Sequence, residues 1–250
     1  MVYEYKNEHE ITYSEVDINL NLSIVSSMNL AEDMMTKYFQ IIKTGNDTNK
    51  IKHNAIWVLT KTRLHFIKYP RLFEKIKCIC NTTISKEIRI GLESVFYNEK
   101  DEKIFIISQE CCPIDFNTRK IRKINTISFP ADLQATKQNL LDPFSKFNSN
   151  FEKYVLKKNI IVQPIDIDFS NHTNNVSYIK YIMNIFENEF WKDKIITDLE
   201  IHFINESIEN DELSIYKFNT NDNNIDILIK NKQKVISQAK IKYKTIVWKK

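Results

Sequence analysis

The order in which hydrophobic periodicities follow one another constrains this chain most, because that order occurs twice. Residues 8–19 read as a strand ending in Glu15-Val-Asp17, and a helical segment follows from about Leu22 to Ile42. Within it Ile24, Met28, Ala31, Met34, Met35, Tyr38 and Ile42 recur at helical spacing and predict one apolar face. Strand-like stretches come next at 55–69, 74–85, 90–98, 103–115 and 120–127, with Asn98–Glu102 as a polar hairpin turn. The second half repeats the order: strand 159–167, helix 175–191, then strands 198–207, 211–219, 224–230 and 233–247. In the last of these Val235, Ala239, Ile241, Tyr243 and Val247 face one way and the lysines the other. Sliding the halves over each other, by an offset of 151 residues, puts Asp17 on Asp168 and Asn21 on His172. A helix followed by antiparallel strands, twice, predicts an α+β chain of two like domains, 1–127 and 158–250. The connector 128–157 carries Pro130, Pro143 and Asn148-Ser-Asn150, and some helix is expected in it.

Composition narrows the chemistry. Hydrophobic and charged fractions of 42% and 27% are those of a folded globular protein. Only two glycines occur, Gly45 and Gly91, which excludes glycine-rich phosphate loops and dinucleotide fingerprints. No nucleotide or other cofactor is therefore expected. The cysteines fall as Cys78-x-Cys80 and Cys111-Cys112, without the spacing or histidine partners of a metal site. They read as reduced thiols on strands, in a cytoplasmic protein. Met1–Glu10 is polar and has no basic region ahead of an apolar core, so no signal peptide is expected. No apolar run approaches the ~18 residues of a membrane span. A net charge of +4, with no zinc-finger, helix-turn-helix or RNP motif, gives no case for nucleic acid. Basic clusters at Arg119–Lys123, Lys157-Lys158 and Lys240–Lys244 with Lys249-Lys250 are solvated faces or contacts for an acidic protein.

Polar chemistry concentrates in Asp166–Tyr178, where two carboxylates, serine, histidine and several amides precede a helix. Asn174 or Asn175 suits the N-cap of that helix. His172 thus stands just ahead of a helix start, where free N–H groups and the dipole favour developing negative charge. A polar loop leading into a capped helix is also a common structural element, and composition alone leaves both readings open.

Asp168-Phe-Ser-Asn-His-Thr-Asn-Asn-Val-Ser-Tyr178 resembles the Asp-x-Asn-x-His-x-Asn-Asn-x-x-Tyr signature of the acyl-ACP thioesterases, with Ser170 in place of the usual Asn. Ile56-Trp-Val-Leu…Tyr-Pro70 is similar to that family's first long strand, and Asp115-Phe-Asn-Thr-Arg-Lys120 to one of its turns. Leu199-Glu-Ile-His-Phe-Ile-Asn-Glu-Ser207 resembles the strand bearing its second acidic residue, which falls on Glu206.

The resemblance implies two tandem hotdog folds, each a long helix wrapped by a curved antiparallel sheet. It also implies hydrolysis of fatty acyl-ACP to free fatty acid and ACP. The N-terminal domain would bind the acyl chain, and the C-terminal one would be catalytic. Glu206 would be the general base or hold it, with His172 the second candidate and Asp168 orienting His172. Ser170 or Asn171 would bind water. Asn175 and Val176 at the helix start, with Met28, Met34, Met35 and Trp57, would meet the substrate. The protein partner would be acyl carrier protein, and the enzyme itself a monomer or homodimer. An acyl-CoA thioesterase and a non-catalytic acyl-binding protein are the alternatives.

Overall fold

The structure is a computed structural model that describes residues 1–140, 142–147 and 150–246. The chain divides into two compact units, Met1–Pro143 and Phe144–Lys250.

The first unit begins with β1 (Glu4–Glu10) and a 3-10 turn at Tyr13–Glu15, then α1 (Ile24–Ile41) and α2 (Asn46–His53). Strands β2 (Ala55–Phe66), β3 (Lys75–Lys86), β4 (Arg89–Tyr97) and β5 (Lys103–Asp115) complete it. They form an antiparallel sheet in the order β1-β3-β4-β5-β2. Ser23 caps α1 by accepting from Ser26 N–H at 3.1 Å. Ile24, Met28, Ala31, Met34 and Tyr38 are buried along α1, as the spacing requires, while Met35 is half-buried. The Tyr38 hydroxyl lies 2.8 Å from Thr82 Oγ1 and ties α1 to β3. Nearly every residue of β4 and β5 is buried, the polar Glu93, Ser94, Ser108 and Gln109 among them.

The second unit has β6 (Val155–Ile161), a 3-10 turn at Pro164–Asp166, α3 (Asn175–Met183) and α4 (Asn188–Asp193). Strands β7 (Lys194–Phe203), β8 (Glu212–Asn221), β9 (Asn224–Asn231) and β10 (Lys234–Thr245) follow. Their antiparallel order is β6-β8-β9-β10-β7, the order of the first unit again.

Several sequence expectations are corrected here. The strands expected at 8–19 and 159–167 end earlier, because Thr12 with Glu15, and Gln163 with Asp166, form capping boxes that curl the chain. Residues 120–127 make one bridge, Ile121 to Ile114, and a 3-10 turn instead of a strand. β5 is paired on both sides up to Cys111, so little edge is left for another ladder. Helix 175–191 breaks at 184–187, where Asn184 caps the end of α3, a place asparagine suits better than a helix interior. Strand 198–207 starts earlier and stops at Phe203, because Ile204 and Asn205 N–H both turn to the Ile236 carbonyl, at 2.9 and 3.0 Å. In β10 a bulge after Val235 buries Ile236 to Ala239 in succession, so strict alternation fails there. Val247, Lys249 and Lys250 lie outside the described residues, as do Asn148 and Ser149. The connector forms no helix among its described residues. Side chains of the sheets hold it instead: Glu93, fully buried, accepts from Ser108 Oγ, from Asn139 N–H and Nδ2, and from Leu140 N–H at 2.7–3.0 Å. Ser145 N–H donates to buried Glu200 at 2.6 Å.

All four cysteines are free and buried; burial pushes the Cys80 thiol up to about 12. No helix among the described residues is long and apolar enough to cross a membrane.

Candidate active site

The loop from Asp168 to α3 is a tight turn closed by its own backbone. Asp168 N–H donates to the His172 carbonyl at 2.9 Å, and Asn171 N–H to the Asp168 carbonyl at 3.1 Å. Asn171 takes the corner at φ 62°, a left-handed geometry that asparagine tolerates, and its side chain is exposed. Inside the turn Asp168 Oδ1 accepts from Ser170 N–H at 2.8 Å and from His172 N–H at 3.4 Å. The same oxygen accepts the Ser170 hydroxyl at 2.7 Å, and Ser170 Oγ lies 3.3 Å from His172 Nδ1. Ser170 Oγ thus lies between carboxylate and imidazole, a placement that its replacement of the expected amide did not reveal.

Glu206 stands in the loop after β7, not on a strand as expected. Its Oε2 is 3.2 Å from His172 Nε2. A carboxylate can only accept, so this contact is made by an Nε2–H. The two side chains keep 23% and 41% of their surface, enough to meet a substrate. Thr173 N–H donates to the Ser207 carbonyl at 2.9 Å, which brings the histidine loop and the glutamate loop together. Sequence reasoning takes Tyr178 as a structural residue packing the helix but does not bring Thr173, Tyr178 and Ser207 together, because their contacts span about thirty positions.

At the helix start Asn174 is the N-cap, its Oδ1 accepting from Val176 N–H at 2.8 Å. That N–H is consumed by the cap. Asn175, the first residue of α3, has its N–H outside the intrahelical ladder, at the positive end of the helix dipole. The remaining substrate candidates belong to the first unit. Met28 and Met34 are buried in α1, and Met35 Sδ receives the Cys111 thiol at 3.6 Å. Trp57 stacks on Phe39 at 5.4 Å and donates Nε1–H to the Thr44 carbonyl at 2.9 Å.

The first unit contains the same frame with other side chains. Asp17 N–H donates to the Asn21 carbonyl at 2.8 Å and Leu20 N–H to the Asp17 carbonyl at 3.0 Å, with Leu20 at φ 61°. Asp17 Oδ1 accepts from Asn19 and Asn21 N–H at 2.8 and 3.0 Å. Burial raises the Asp17 pKa, against these hydrogen bonds and the charge of Arg71. Leu22 N–H donates to the Pro70 carbonyl at 2.8 Å, as Thr173 does to Ser207. Asn21 therefore stands where His172 does, and Tyr69 where Glu206 does. Among the described residues no group of three or more His, Cys, Asp or Glu is placed to hold a metal ion.

A histidine that faces Glu206 directly and Asp168 through Ser170, beside a helix N-terminus, is arranged so that it could exchange protons with a bound molecule. The chain belongs to the acyl-ACP thioesterase family, a family of thioester hydrolases: the acyl-ACP thioesterase N-terminal domain matches residues 2–127 and the C-terminal domain residues 150–250. Among solved structures it is similar to an acyl-ACP thioesterase of Bacteroides thetaiotaomicron at 20% identity and a TM-score of 0.88, over 96% of this chain and 98% of that one. It is similar also to the 12:0-ACP thioesterase of Umbellularia californica, at 14% identity and a TM-score of 0.80, over 97% and 94% of the two chains. At these identities the likeness is one of fold. The comparison with curated proteins gives no match.

Proposed function

We propose that this chain hydrolyses fatty acyl-ACP to free fatty acid and ACP, in cytoplasmic fatty acid biosynthesis, with Glu206 as general base. The 3.2 Å contact between His172 Nε2 and Glu206 Oε2 carries the reading. With one oxygen held by Nε2–H, the other oxygen of Glu206 accepts the proton of a water that attacks the thioester carbon. The oxyanion so formed faces the Asn175 N–H and the helix dipole. As the carbon–sulfur bond breaks, His172 Nε2–H protonates the departing phosphopantetheine thiolate. The proton on Glu206 then passes to Nε2 and restores the pair. Nδ1–H donates meanwhile to Ser170 Oγ, whose hydroxyl donates to Asp168, so the charged ring is supported on both sides.

Each unit is read as a hotdog, the second catalytic and the first, with Asn21 and Tyr69 in the equivalent places, serving to bind the acyl chain. Asn21 cannot take a proton at neutral pH. The matched strand orders and loop frames support this division.

The test is free-thiol release from purified protein offered acyl-ACP and acyl-CoA separately. Thiol release from acyl-ACP supports the reading; release from acyl-CoA alone reassigns the carrier, and release from neither reduces the protein to an acyl binder. Ser170→Ala is expected to lower kcat roughly tenfold or more, the cost of a hydrogen bond to a charged group. Ser170→Asn should keep turnover, since an amide can donate to Asp168 and accept from His172.

Salt dependence addresses the carrier. In the Arg119–Lys123 cluster, Lys123 pairs with Glu87 and Arg122 holds the His53 carbonyl. Lys157 and Lys158 are exposed on β6, and with Lys217 nearby they make the better contact for acidic ACP. Raising salt should lower kcat/KM on acyl-ACP steeply with kcat level, since exposed charges are screened over ~8 Å at physiological ionic strength. Lys157→Glu with Lys158→Glu should lower kcat/KM at low salt and flatten that dependence. A kcat/KM indifferent to both would refute charge-guided docking there.

A further inference from the structure

Three buried hydroxyls close a ring beside the acid–base pair. Thr173 and Ser207 directly follow His172 and Glu206, and Tyr178 lies one turn into α3. Ser207 Oγ is 2.7 Å from Thr173 Oγ1 and 2.8 Å from the Tyr178 oxygen. Ser207 N–H donates to the Tyr178 oxygen at 3.2 Å, and Thr173 Oγ1 to the Ser207 carbonyl at 3.1 Å. One assignment of protons satisfies every contact. Tyr178 donates to Ser207 Oγ, Ser207 donates to Thr173, and Thr173 donates to the Ser207 carbonyl. Thr173, Tyr178 and Ser207 are 5%, 3% and 1% exposed, so a missing member leaves its partners unmatched and beyond the reach of water. Burial also holds the Tyr178 phenol above its ordinary pKa, which keeps its proton in place.

The first unit serves as an internal control. It joins the same two loops by the same backbone bond, Leu22 N–H to the Pro70 carbonyl. Leu22, Ser27 and Pro70 stand where the second unit has Thr173, Tyr178 and Ser207. Ser27 spends its hydroxyl on the Ser23 carbonyl of its own helix, at 2.9 Å. Building the junction therefore does not require the ring. The ring occurs in the unit that has the histidine and glutamate and is missing from the unit that lacks them. We infer that Tyr178, acting through Ser207 and Thr173, is a positioning residue that fixes Glu206 against His172.

This inference rests on the roles proposed for Glu206 and His172, and a double-mutant cycle separates the two. Tyr178→Phe keeps the ring packing and removes the hydroxyl. It should lower kcat on acyl-ACP about tenfold to hundredfold with KM within about twofold, the effect of a misplacement near 1 Å. Thr173→Val should do the same and Thr173→Ser should restore parental turnover. In a Glu206→Gln background Tyr178→Phe should cost nothing more, because the group it positions is already disabled. Equal losses in both backgrounds would overturn the inference, as would parental kcat in both Tyr178→Phe and Thr173→Val. Parental turnover in Glu206→Gln itself would instead refute the assignment of Glu206. Should Tyr178→Phe fail to fold, Thr173→Val and Thr173→Ser measured in the same two backgrounds distinguish the same outcomes.

Discussion

Glu206→Gln is expected to lower kcat on acyl-ACP by about two to four decades, the span for losing a general acid–base group. The substitution preserves shape and leaves an oxygen that can still accept from His172 Nε2–H. It removes the capacity to take a proton from water, so the loss should appear in kcat and not in KM. His172→Ala should fall as far, since it removes both the hold on Glu206 and the donor to the leaving thiolate. Asp168→Asn should cost less. Asparagine retains an oxygen for the backbone N–H groups of Ser170 and His172, so the turn survives and only the charge behind Ser170 is lost. Thermal stability should change little in all three, because Glu206 and His172 are partly exposed on loops. Near-parental turnover in both Glu206→Gln and His172→Ala would place the chemistry elsewhere.

Trp57→Ala should destabilise the protein by about 3–5 kcal/mol, the usual cost of deleting a buried aromatic side chain. In melting temperature this is on the order of 10 °C for a chain of this size. Trp57 is 6% exposed and stacked on Phe39, and its indole N–H is committed to Thr44 between α1 and α2. Its backbone N–H is taken by Asn46 Oδ1 at 2.7 Å. These bonds tie Trp57 to the helix connection, beside the contact with the acyl chain that the resemblance implies. The discriminating measurement is the chain-length profile of the residual activity beside the melting curve. A shifted profile with unchanged melting would assign Trp57 to the acyl chain alone.

What could be read from sequence was whatever repeats locally. The apolar stripe of α1, the hairpin at 98–102 and the Asp168–His172 cluster each lie within one stretch, and periodicity or turn chemistry exposes them. α2 escaped notice because it is almost wholly polar and carries no stripe. The helices also differ in length between the halves: α1 and α2 hold 18 and 8 residues, α3 and α4 only 9 and 6. The offset is 151 residues at the loops, Asp17 to Asp168, but 137 at the strand ends, Ile67 to Ile204. A single offset therefore aligned Asn21 with His172 and missed Tyr69 opposite Glu206. The hydroxyl ring was hidden for a different reason: serine, threonine and tyrosine are common, and only the fold shows that three of them meet.

The corner of the duplicated turn is left-handed at both Leu20 and Asn171. For a leucine that geometry costs on the order of 1 kcal/mol, whereas asparagine adopts it readily. The first unit keeps the turn with the less suitable residue, so the bonds around the corner dictate its shape and the corner residue merely complies. Backbone path and side-chain chemistry are therefore specified separately in this loop. Two sets of side chains therefore share one backbone path: His172, Glu206 and the buried hydroxyls in the second unit, and Asn21, Tyr69, Leu22, Ser27 and Pro70 in the first.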